Sequence, residues 1–281
     1  MQKHLRLWVQ GGFTALTNGY LAGFANGTIY KGKTKALCVP GLNCYSCPGA
    51  LGSCPIGSLQ AVLGSGKYRI AFYVMGFLMV FGAVLGRFVC GWLCPFGLIQ
   101  DLLHKIPFAK KIRKVPGDRW LKYLKYVILV VFVILLPLYV VDIMGQGQPW
   151  FCKYICPSGT LMGGIPLVTA NDGLRAAAGW LFAWKNLVLI VLILLSVIVY
   201  RPFCRYLCPL GAIYGVFNPI AFYRYKVDEN KCTGCKVCQK TCGMDLPVYE
   251  KPNSPECIRC GNCKNACPHG AICSTFEHKG K

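Results

Sequence analysis

The sequence predicts a membrane all-α region of about four transmembrane helices in an internal two-fold repeat, followed by a small cysteine-rich α+β domain. Three observations predict this fold class. Only 15% of the 281 residues are charged and 54% are hydrophobic, whereas a soluble domain carries about a quarter charged residues. The 19 cysteines fall in tight clusters. A Cys-Pro pattern also recurs along the apolar part of the chain.

Four stretches can be read as membrane spans because each is apolar and nearly free of charge: residues 7–30, 70–86, 126–141 and 180–200. A helix needs roughly 20 residues to cross the hydrocarbon. The second and third stretches are shorter, and the stems of flanking lysines and arginines can lengthen them. Thr14, Thr17 and Asn18 dilute the first stretch. A cleaved signal peptide is the alternative there, but no clear cleavage site follows, which favours a retained helix.

The C-terminal tail carries two cysteine runs of the same spacing, C-x2-C-x2-C-x3-C, which begin at Cys232 and Cys257. In this spacing three cysteines hold one 4Fe–4S cluster and the fourth reaches the neighbouring cluster. The predicted ligand sets are Cys232, Cys235, Cys238 and Cys267 for one cluster, and Cys257, Cys260, Cys263 and Cys242 for the other. Zinc takes four ligands and has no common counterpart to eight at this doubled spacing. Cys273 is left over, with a small buried hydrophobe as its expected role.

The tail, residues 224–281, is therefore predicted to be a bacterial-type ferredoxin-like domain with two 4Fe–4S clusters, attached to a membrane domain over residues 1–223. Within the membrane domain, C-P-x-G occurs four times, at Cys54, Cys94, Cys156 and Cys208. Three copies have another cysteine four residues upstream, namely Cys90, Cys152 and Cys204. This order predicts a two-fold repeat, over about 38–107 and about 150–220. A proline after the cysteine ends one helix or begins the next.

Two further 4Fe–4S clusters are predicted where cysteines from the two halves meet. The inner-face set is Cys90, Cys94, Cys204 and Cys208; the outer-face set is Cys47, Cys54, Cys152 and Cys156, with Cys38 and Cys44 as substitutes. Disulfides are the alternative for the outer cysteines. Because hydrocarbon is about 30 Å thick, electron transfer between opposite faces requires that the clusters dip inward or that a partner cofactor bridges them.

The basic loop over residues 105–125 sets the predicted orientation. It holds eight Lys or Arg residues and one Asp, and positively charged loops stay in the cytoplasm. The chain is then a multi-pass protein of the cytoplasmic (inner) membrane with its tail in the cytoplasm. The formal charge of +21 fits anionic lipid and thiolate-bound clusters. Nucleic acid is excluded as a partner because no aromatic-interleaved basic surface exists and much of the charge flanks the spans.

The CGWLCP and CRYLCP pairs that begin at Cys90 and Cys204, followed by the double run, resemble the NapH/NosR-type membrane polyferredoxins. The resemblance covers the whole chain. It implies electron transfer between quinol, flavin or cytoplasmic donors and a partner redox enzyme, with the inner-face cysteines and the eight tail cysteines as cluster ligands. The cysteine-rich segment over residues 38–55 goes beyond the minimal pattern of that family. The flavin-attachment tetrapeptide of NosR-like proteins is absent, so any flavin belongs to a partner.

These observations predict an electron-transfer protein that relays electrons between a cytoplasmic donor, such as a ferredoxin-like protein, and a membrane or extracytoplasmic redox partner. The four histidines form no acid–base constellation, which favours a subunit of an oxidoreductase complex over a stand-alone enzyme. Expected partners are membrane lipid and other redox subunits: a flavoprotein, a quinone-linked subunit or a terminal reductase. The alternative is an accessory polyferredoxin that reduces or matures a partner oxidoreductase or its metal centre. A redox sensor is disfavoured because no DNA-binding or signalling module is recognisable.

Overall fold

A computed structural model describes residues 2–65, 69–108, 111–113, 115–143 and 145–276. The described chain is mostly helical, as predicted, and the four-span repeat and the ferredoxin-like architecture stay predictions. In chain order the longer helices are Gln2–Thr17, Pro55–Ser65, Arg69–Leu85, Pro95–Lys105, Asp118–Tyr139, Trp180–Ile198 and Pro209–Phe217. Short helices are Leu21–Asn26, Lys33–Ala36, Phe88–Trp92, Trp150–Tyr154, Pro157–Gly159, Thr160–Gly164, Ile165–Ala170, Asp172–Ala176, Pro202–Tyr206, Val237–Thr241 and Asn262–Ala266.

Two helices in the described part of the chain are long and apolar enough to cross a membrane, Asp118–Tyr139 and Trp180–Ile198. They contain most of the third and fourth predicted spans. Only 22% and 17% of the most apolar 18-residue stretch of each helix is buried. Both helices therefore present apolar side chains outward, as a lipid-facing helix does. The second predicted span corresponds to the helix Arg69–Leu85, whose apolar part Phe72–Leu85 is shorter than a bilayer core requires.

The first predicted span, over residues 7–30, is wrong as a single helix. The helix Gln2–Thr17 stops, and the chain resumes a helix only over Leu21–Asn26. At the break the Thr17 hydroxyl donates to the Phe13 carbonyl at 2.8 Å, and the side-chain amide of Asn18 donates to the Thr14 carbonyl at 3.1 Å. Side chains that hydrogen-bond nearby carbonyls in this way compete with helix continuation. The polar residues that dilute this stretch therefore end the helix.

Each Cys-Pro motif begins a helix, which is the second of the two alternatives that the sequence left open. Pro95, Pro157 and Pro209 occupy the first turn, with the preceding cysteine as the N-cap residue, and the helix Pro55–Ser65 begins at the equivalent proline. Proline suits this position because its missing N–H would have no partner there. Helix N-termini carry a partial positive charge that favours anions. Four helix starts thus present their positive ends to the membrane-domain cysteines.

Two helices widen into π-helical turns, over Leu129–Leu135 and Thr160–Gly164. Each turn lies just N-terminal to a proline inside the continuing helix, Pro137 or Pro166. A proline removes one backbone hydrogen bond and clashes with the carbonyl four residues earlier. The wider turn accommodates that clash without breaking the helix. The span Asp118–Tyr139 thereby stays continuous despite its proline.

The tail is closed by an antiparallel strand pair, Tyr225–Val227 with Ile272–Ser274. Its two cysteine runs repeat one backbone conformation. The residues on either side of the second cysteine have positive φ in both runs: Gly234 (67°) and Lys236 (57°), then Arg259 (51°) and Gly261 (81°). Each run uses one glycine and one basic residue for these two left-handed positions. A non-glycine residue persists in this region only where its surroundings hold it.

Candidate functional site

The eight cysteines of the tail runs line two cavities in the predicted combinations. Cys232, Cys235, Cys238 and Cys267 line one, with Val227, Tyr249 and Ile272 among the apolar residues around them. Cys242, Cys257, Cys260 and Cys263 line the other, beside Leu246, Val248 and Ile258. In each case the fourth cysteine comes from the other run, as the spacing requires. We call these the first and second tail groups; their role as ligands stays a prediction.

The two tail groups differ in exposure. Cys235 of the first group is exposed, whereas Cys257 and Cys263 of the second are buried. Burial, followed by the neighbouring thiols of Cys260 and Cys242, raises the pKa of Cys257 to about 12. A thiol with that pKa keeps its proton at neutral pH unless a metal displaces it. The second group is therefore the more enclosed of the two, and Cys235 makes the first group the more exposed.

The predicted inner cysteines Cys90, Cys94, Cys204 and Cys208 are brought together from the two halves of the membrane domain. All four are 4–5% exposed and lie in one buried cluster. Two buried arginines cross between the halves. Arg87 donates to the Cys204 carbonyl at 2.8 Å, and Arg201 donates to the Cys90 carbonyl. This exchange locks the two cysteine loops together around one centre, which we call the inner group.

Buried ion pairs surround the inner group. Arg201 pairs with Asp101, which Arg6 also contacts, while Arg87 and Lys125 pair with Glu256 of the tail. These four cations face two carboxylates, which leaves two positive charges. A 4Fe–4S core of +2 with four thiolates carries a charge of −2. The net charge of +2 on these ion-paired residues is therefore equal and opposite to the charge of −2 on the predicted cluster.

The second tail group docks directly on the inner group. A Cβ added to Gly91, between Cys90 and Cys94, would lie only 2.2 Å from the Ile258 carbonyl oxygen, so the backbones of the two cysteine loops are in contact. The Trp92 indole N–H donates to the Arg259 carbonyl at 3.0 Å. The Arg259 guanidinium donates to the carbonyls of Leu85 and Asn218 at 2.9 and 2.6 Å. These contacts also hold the left-handed backbone of Arg259 in place.

The outer cysteines line a cavity of about 770 Å³, but with one change from the predicted set. Its cysteines are Cys44, Cys54, Cys152 and Cys156, which we call the outer group. Cys47, the predicted fourth member, does not line this cavity; its sulfur lies 3.6 Å from the Asn18 side-chain oxygen. Cys44 was the stated substitute, and its sulfur lies beside Gly159 and Gly163 in the cavity wall. Cys38, the other substitute, pairs with Ser53 in an isolated β-bridge.

The outer and inner groups lie close together. A Cβ added to Gly41 would lie 3.1 Å from the Cys94 Cα, and the next two residues, Leu42 and Asn43, line the outer cavity. The placement of the two groups at an inner and an outer face stays a prediction, and this short path between them is what clusters that dip inward require. The loop over residues 38–54 folds inward between them.

Several residues around these groups were missed by the sequence reasoning. Arg87 and Arg201 each lie three residues before the first cysteine of an inner pair, which is the signal that could have identified them. Gln60 and Gln100 each lie six residues after a Cys-Pro cysteine, and both donate to a cysteine sulfur of the other half. Glu256 carried no such signal because its partners lie far away in the sequence.

The donor sets fit 4Fe–4S clusters, in which each of four irons takes one cysteine thiolate. The Asn43 side chain, fully buried and without a hydrogen-bond partner among the described residues, lines the outer cavity. A buried amide of this kind is costly unless a polar group completes the site. Lys185 also lines this cavity. Within the described ranges, no three His, Cys, Asp or Glu side chains converge as ligands of a single metal ion.

Comparisons with known proteins identify the family. The family model described as a 4Fe–4S binding domain matches residues 70–116, 124–166, 180–223 and 263–281, more than half of the chain. An uncharacterized protein of Methanocaldococcus jannaschii is 30% identical over 80% of this chain and 87% of its own length. The ferredoxin-type protein NapH of Haemophilus influenzae is 29% identical over 73% of this chain and 68% of its own.

A more distant relative is the regulatory protein NosR of Stutzerimonas stutzeri, 24% identical over 64% of this chain but only 24% of its own length. No solved structure matches the chain. The family model and the relatives point to the same class of iron–sulfur electron-transport proteins as the cysteine geometry. The chain belongs to the 4Fe–4S binding domain family and is a polyferredoxin of the NapH/NosR type.

Proposed function

We propose that this chain is a membrane-bound protein that relays electrons between a cytoplasmic donor and a redox partner in or beyond the membrane. The observation that carries the proposal is the unbroken series of four cysteine groups. The first tail group shares its runs with the second, and the second contacts the inner group through Ile258 and Gly91. The loop over residues 41–43 runs from the Cys94 backbone to the wall of the outer cavity. The series therefore continues from the tail through the inner group to the outer cavity.

Each cysteine group holds one 4Fe–4S cluster in this proposal, and such clusters act as one-electron carriers over a wide range of potentials. The ligands at the tail and inner groups are the cysteines predicted from the sequence. At the outer group Cys44 joins Cys54, Cys152 and Cys156 in place of Cys47, since Cys44 is the one that lines the cavity. Each group thus has the four thiolates that one 4Fe–4S cluster requires.

The chain's own residues prepare the inner group to accept negative charge. Burial of its cysteines keeps water away from the group, and electrostatic interactions are stronger in such a low-dielectric setting. Arg87 and Arg201 fix the cysteine loops from opposite halves. Two helix N-termini, those of Pro95–Lys105 and Pro209–Phe217, add partial positive charge. Together they stabilise an added electron without requiring the fold to move.

The orientation follows from the basic loop. Arg113 of this loop donates to the Lys240 carbonyl of the tail, and its own carbonyl accepts from Arg205. The tail and the basic loop thus lie on the same side of the molecule. Since positively charged loops stay in the cytoplasm, we place the tail there and assign the exposed first tail group to the cytoplasmic donor. The outer cavity then faces the partner on the other side of the series.

Anaerobic purification with iron and acid-labile sulfide analysis tests the proposal. Four clusters of four irons each predict about sixteen irons per chain. About eight irons would leave only the tail clusters and contradict a relay through the membrane domain. EPR with a membrane-impermeant oxidant added to sealed vesicles tests sidedness. With the tail facing inward, the signals of the tail clusters should persist, and their rapid loss would contradict the assigned orientation.

A further inference from the structure

Gln60 and Gln100 occupy the same place in the two cysteine centres of the membrane domain. Each lies six residues after a Cys-Pro cysteine of the first half, on the helix Pro55–Ser65 or the helix Pro95–Lys105. Their exposed fractions are 0% and 1%. Each reaches across to a cysteine of the second half: Gln60 to Cys152 and Gln100 to Cys204. At the equivalent positions of the second half the chain has Met162 and Tyr214 instead.

The orientation of each amide is fixed by a second contact. The Gln60 Oε1 accepts the backbone N–H of Phe151 at 3.0 Å, and the Gln100 Oε1 accepts that of Phe203 at 3.2 Å. Because a backbone N–H can only donate, the oxygen must face it. The Nε2 group therefore faces the sulfur, at 3.3 Å from Cys152 and 3.1 Å from Cys204.

The remaining N–H of each amide is also satisfied. The Gln60 Nε2 lies 3.3 Å from the Ile56 carbonyl, and the Gln100 Nε2 lies 3.4 Å from the Phe96 carbonyl. A buried amide with both of its ends engaged cannot rotate away when the charge on the sulfur changes. Each glutamine thus keeps one N–H directed at a cysteine of its group and also positions the residue before that cysteine.

We propose that Gln60 and Gln100 are positioning residues that raise the reduction potentials of the outer and inner clusters. The inference rests on the proposed function, since it requires clusters at both groups. Hydrogen bonds to ligand sulfurs are among the features that set the potential of an iron–sulfur cluster. The reduced cluster carries one more negative charge than the oxidised one, so an N–H donor stabilises the reduced form more. Loss of the donor therefore favours oxidation of that cluster.

Redox titration of the full-length, anaerobically purified protein, followed by EPR, tests this with reciprocal variants. Gln100→Leu should lower the potential of the inner cluster and leave the outer one unchanged; Gln60→Leu should do the opposite. We expect a change of three- to tenfold in the reduction equilibrium, where tenfold corresponds to about 59 mV for one electron. Cys44→Ser, which removes a ligand of the outer group, identifies the outer signal. Each glutamine variant serves as the control for the other.

A second substitution separates tuning from simple support of the fold. Gln100→Glu keeps an oxygen for the Phe203 N–H but places a titratable carboxyl beside Cys204. The inner potential should then rise towards that of the unaltered protein at low pH, where the protonated carboxyl again offers a donor to Cys204, whereas in Gln100→Leu it should stay low at every pH. Unchanged potentials with full iron content in the variants would overturn the inference, and so would loss of four irons in the glutamine variants. If the unaltered protein holds only about eight irons, the proposed relay itself is contradicted. Iron content of the unaltered protein therefore distinguishes failure of the proposed function from failure of the inference about the glutamines.

Discussion

The inner and outer cysteine groups share one scaffold and differ in their surroundings. In both, cysteines from the two halves meet at helix N-termini and a glutamine from the first half donates to a sulfur of the second. The inner cysteines are all buried beneath the tail, whereas Cys44 and Cys152 of the outer group are partly exposed in an open cavity. Two buried arginines hold the inner group; Lys185 is the cation that lines the outer cavity.

The comparison shows that the cysteine scaffold is shared by the two groups, whereas their accessibility to a partner differs. The repeated Cys-Pro motif supplies two cysteines and two helix N-termini to each group. The tail covers the inner group, so the cluster proposed there would exchange electrons with the other proposed clusters rather than directly with a large partner. The outer cavity of about 770 Å³ remains open. It is therefore the surface at which we expect a redox partner to approach.

The largest expected effect tests the composition of the outer group. Cys44→Ser should remove one ligand of the outer cluster and lower the iron content by about four atoms per chain, since one cluster carries four irons. Cys47→Ser is the matched control and should retain full iron, because Cys47 does not line the cavity. Iron and sulfide analysis of both variants checks the result. Loss of iron in Cys47→Ser with retention in Cys44→Ser would reverse the assignment.

The cysteine groups differ in how far the sequence could predict them. The tail groups follow from the sequence because each run places three of its four cysteines within seven residues, so local geometry decides the set. The inner group follows from the repeat, since both halves carry the same pair. The outer group does not, because the first half supplies Cys38, Cys44 and Cys47 before Cys54. Which of these reaches the cavity depends on how the loop folds.

The membrane spans show the same limit of prediction from sequence. The third and fourth stretches are apolar over enough residues to be recognised, and both are helical. The first stretch is equally free of charge, but the side chains of Thr17 and Asn18 bond to its backbone and end the helix. Long-range pairs are harder still. The contact of Glu256 with Arg87 and Lys125 joins residues more than 130 positions apart, and no local pattern predicts it.

The next largest effect compares the cations of the two groups. Arg201→Met should destabilise the protein by about 3–5 kcal/mol, because it leaves Asp101 buried with only Arg6 as a partner and frees the Cys90 carbonyl. Thermal unfolding in detergent, followed by loss of visible cluster absorbance, measures the change. The expected result is a lower midpoint and a faster loss of the inner cluster.

Lys185→Met is the matched control at the outer group. Lys185 is only half-buried, and no carboxylate pairs with it among the described residues, so we expect a change within about 0.5 kcal/mol. Equal destabilisation by the two substitutions would contradict the view that buried arginines, rather than the shared scaffold, distinguish the inner group. A larger effect at Lys185 would mean that the outer cluster depends on this charge for its retention.

A smaller effect than that of Arg201→Met concerns the ion pair that docks the tail on the inner group. Burial alone would raise the pKa of Glu256, but Arg87 and Lys125 outweigh it and hold the pKa below its ordinary value. A carboxyl with a lowered pKa contributes its full stabilisation above the ordinary value of about 4.3, and loses it only as the pH falls further. Docking of the tail should therefore be constant between roughly pH 7 and 5.

Glu256→Gln removes the charge while keeping one oxygen as an acceptor, and we expect it to weaken docking by about 1.5–3 kcal/mol at every pH in that window. Amide hydrogen exchange at residues 253–260 measures docking directly, with the strand pair Tyr225–Val227 and Ile272–Ser274 as an internal reference for an intact tail. A docking strength in the unaltered protein that declines steadily from pH 7 to 5 would show that Glu256 is not held ionised by its two cations. The inner group would then depend on some other contact for its cover.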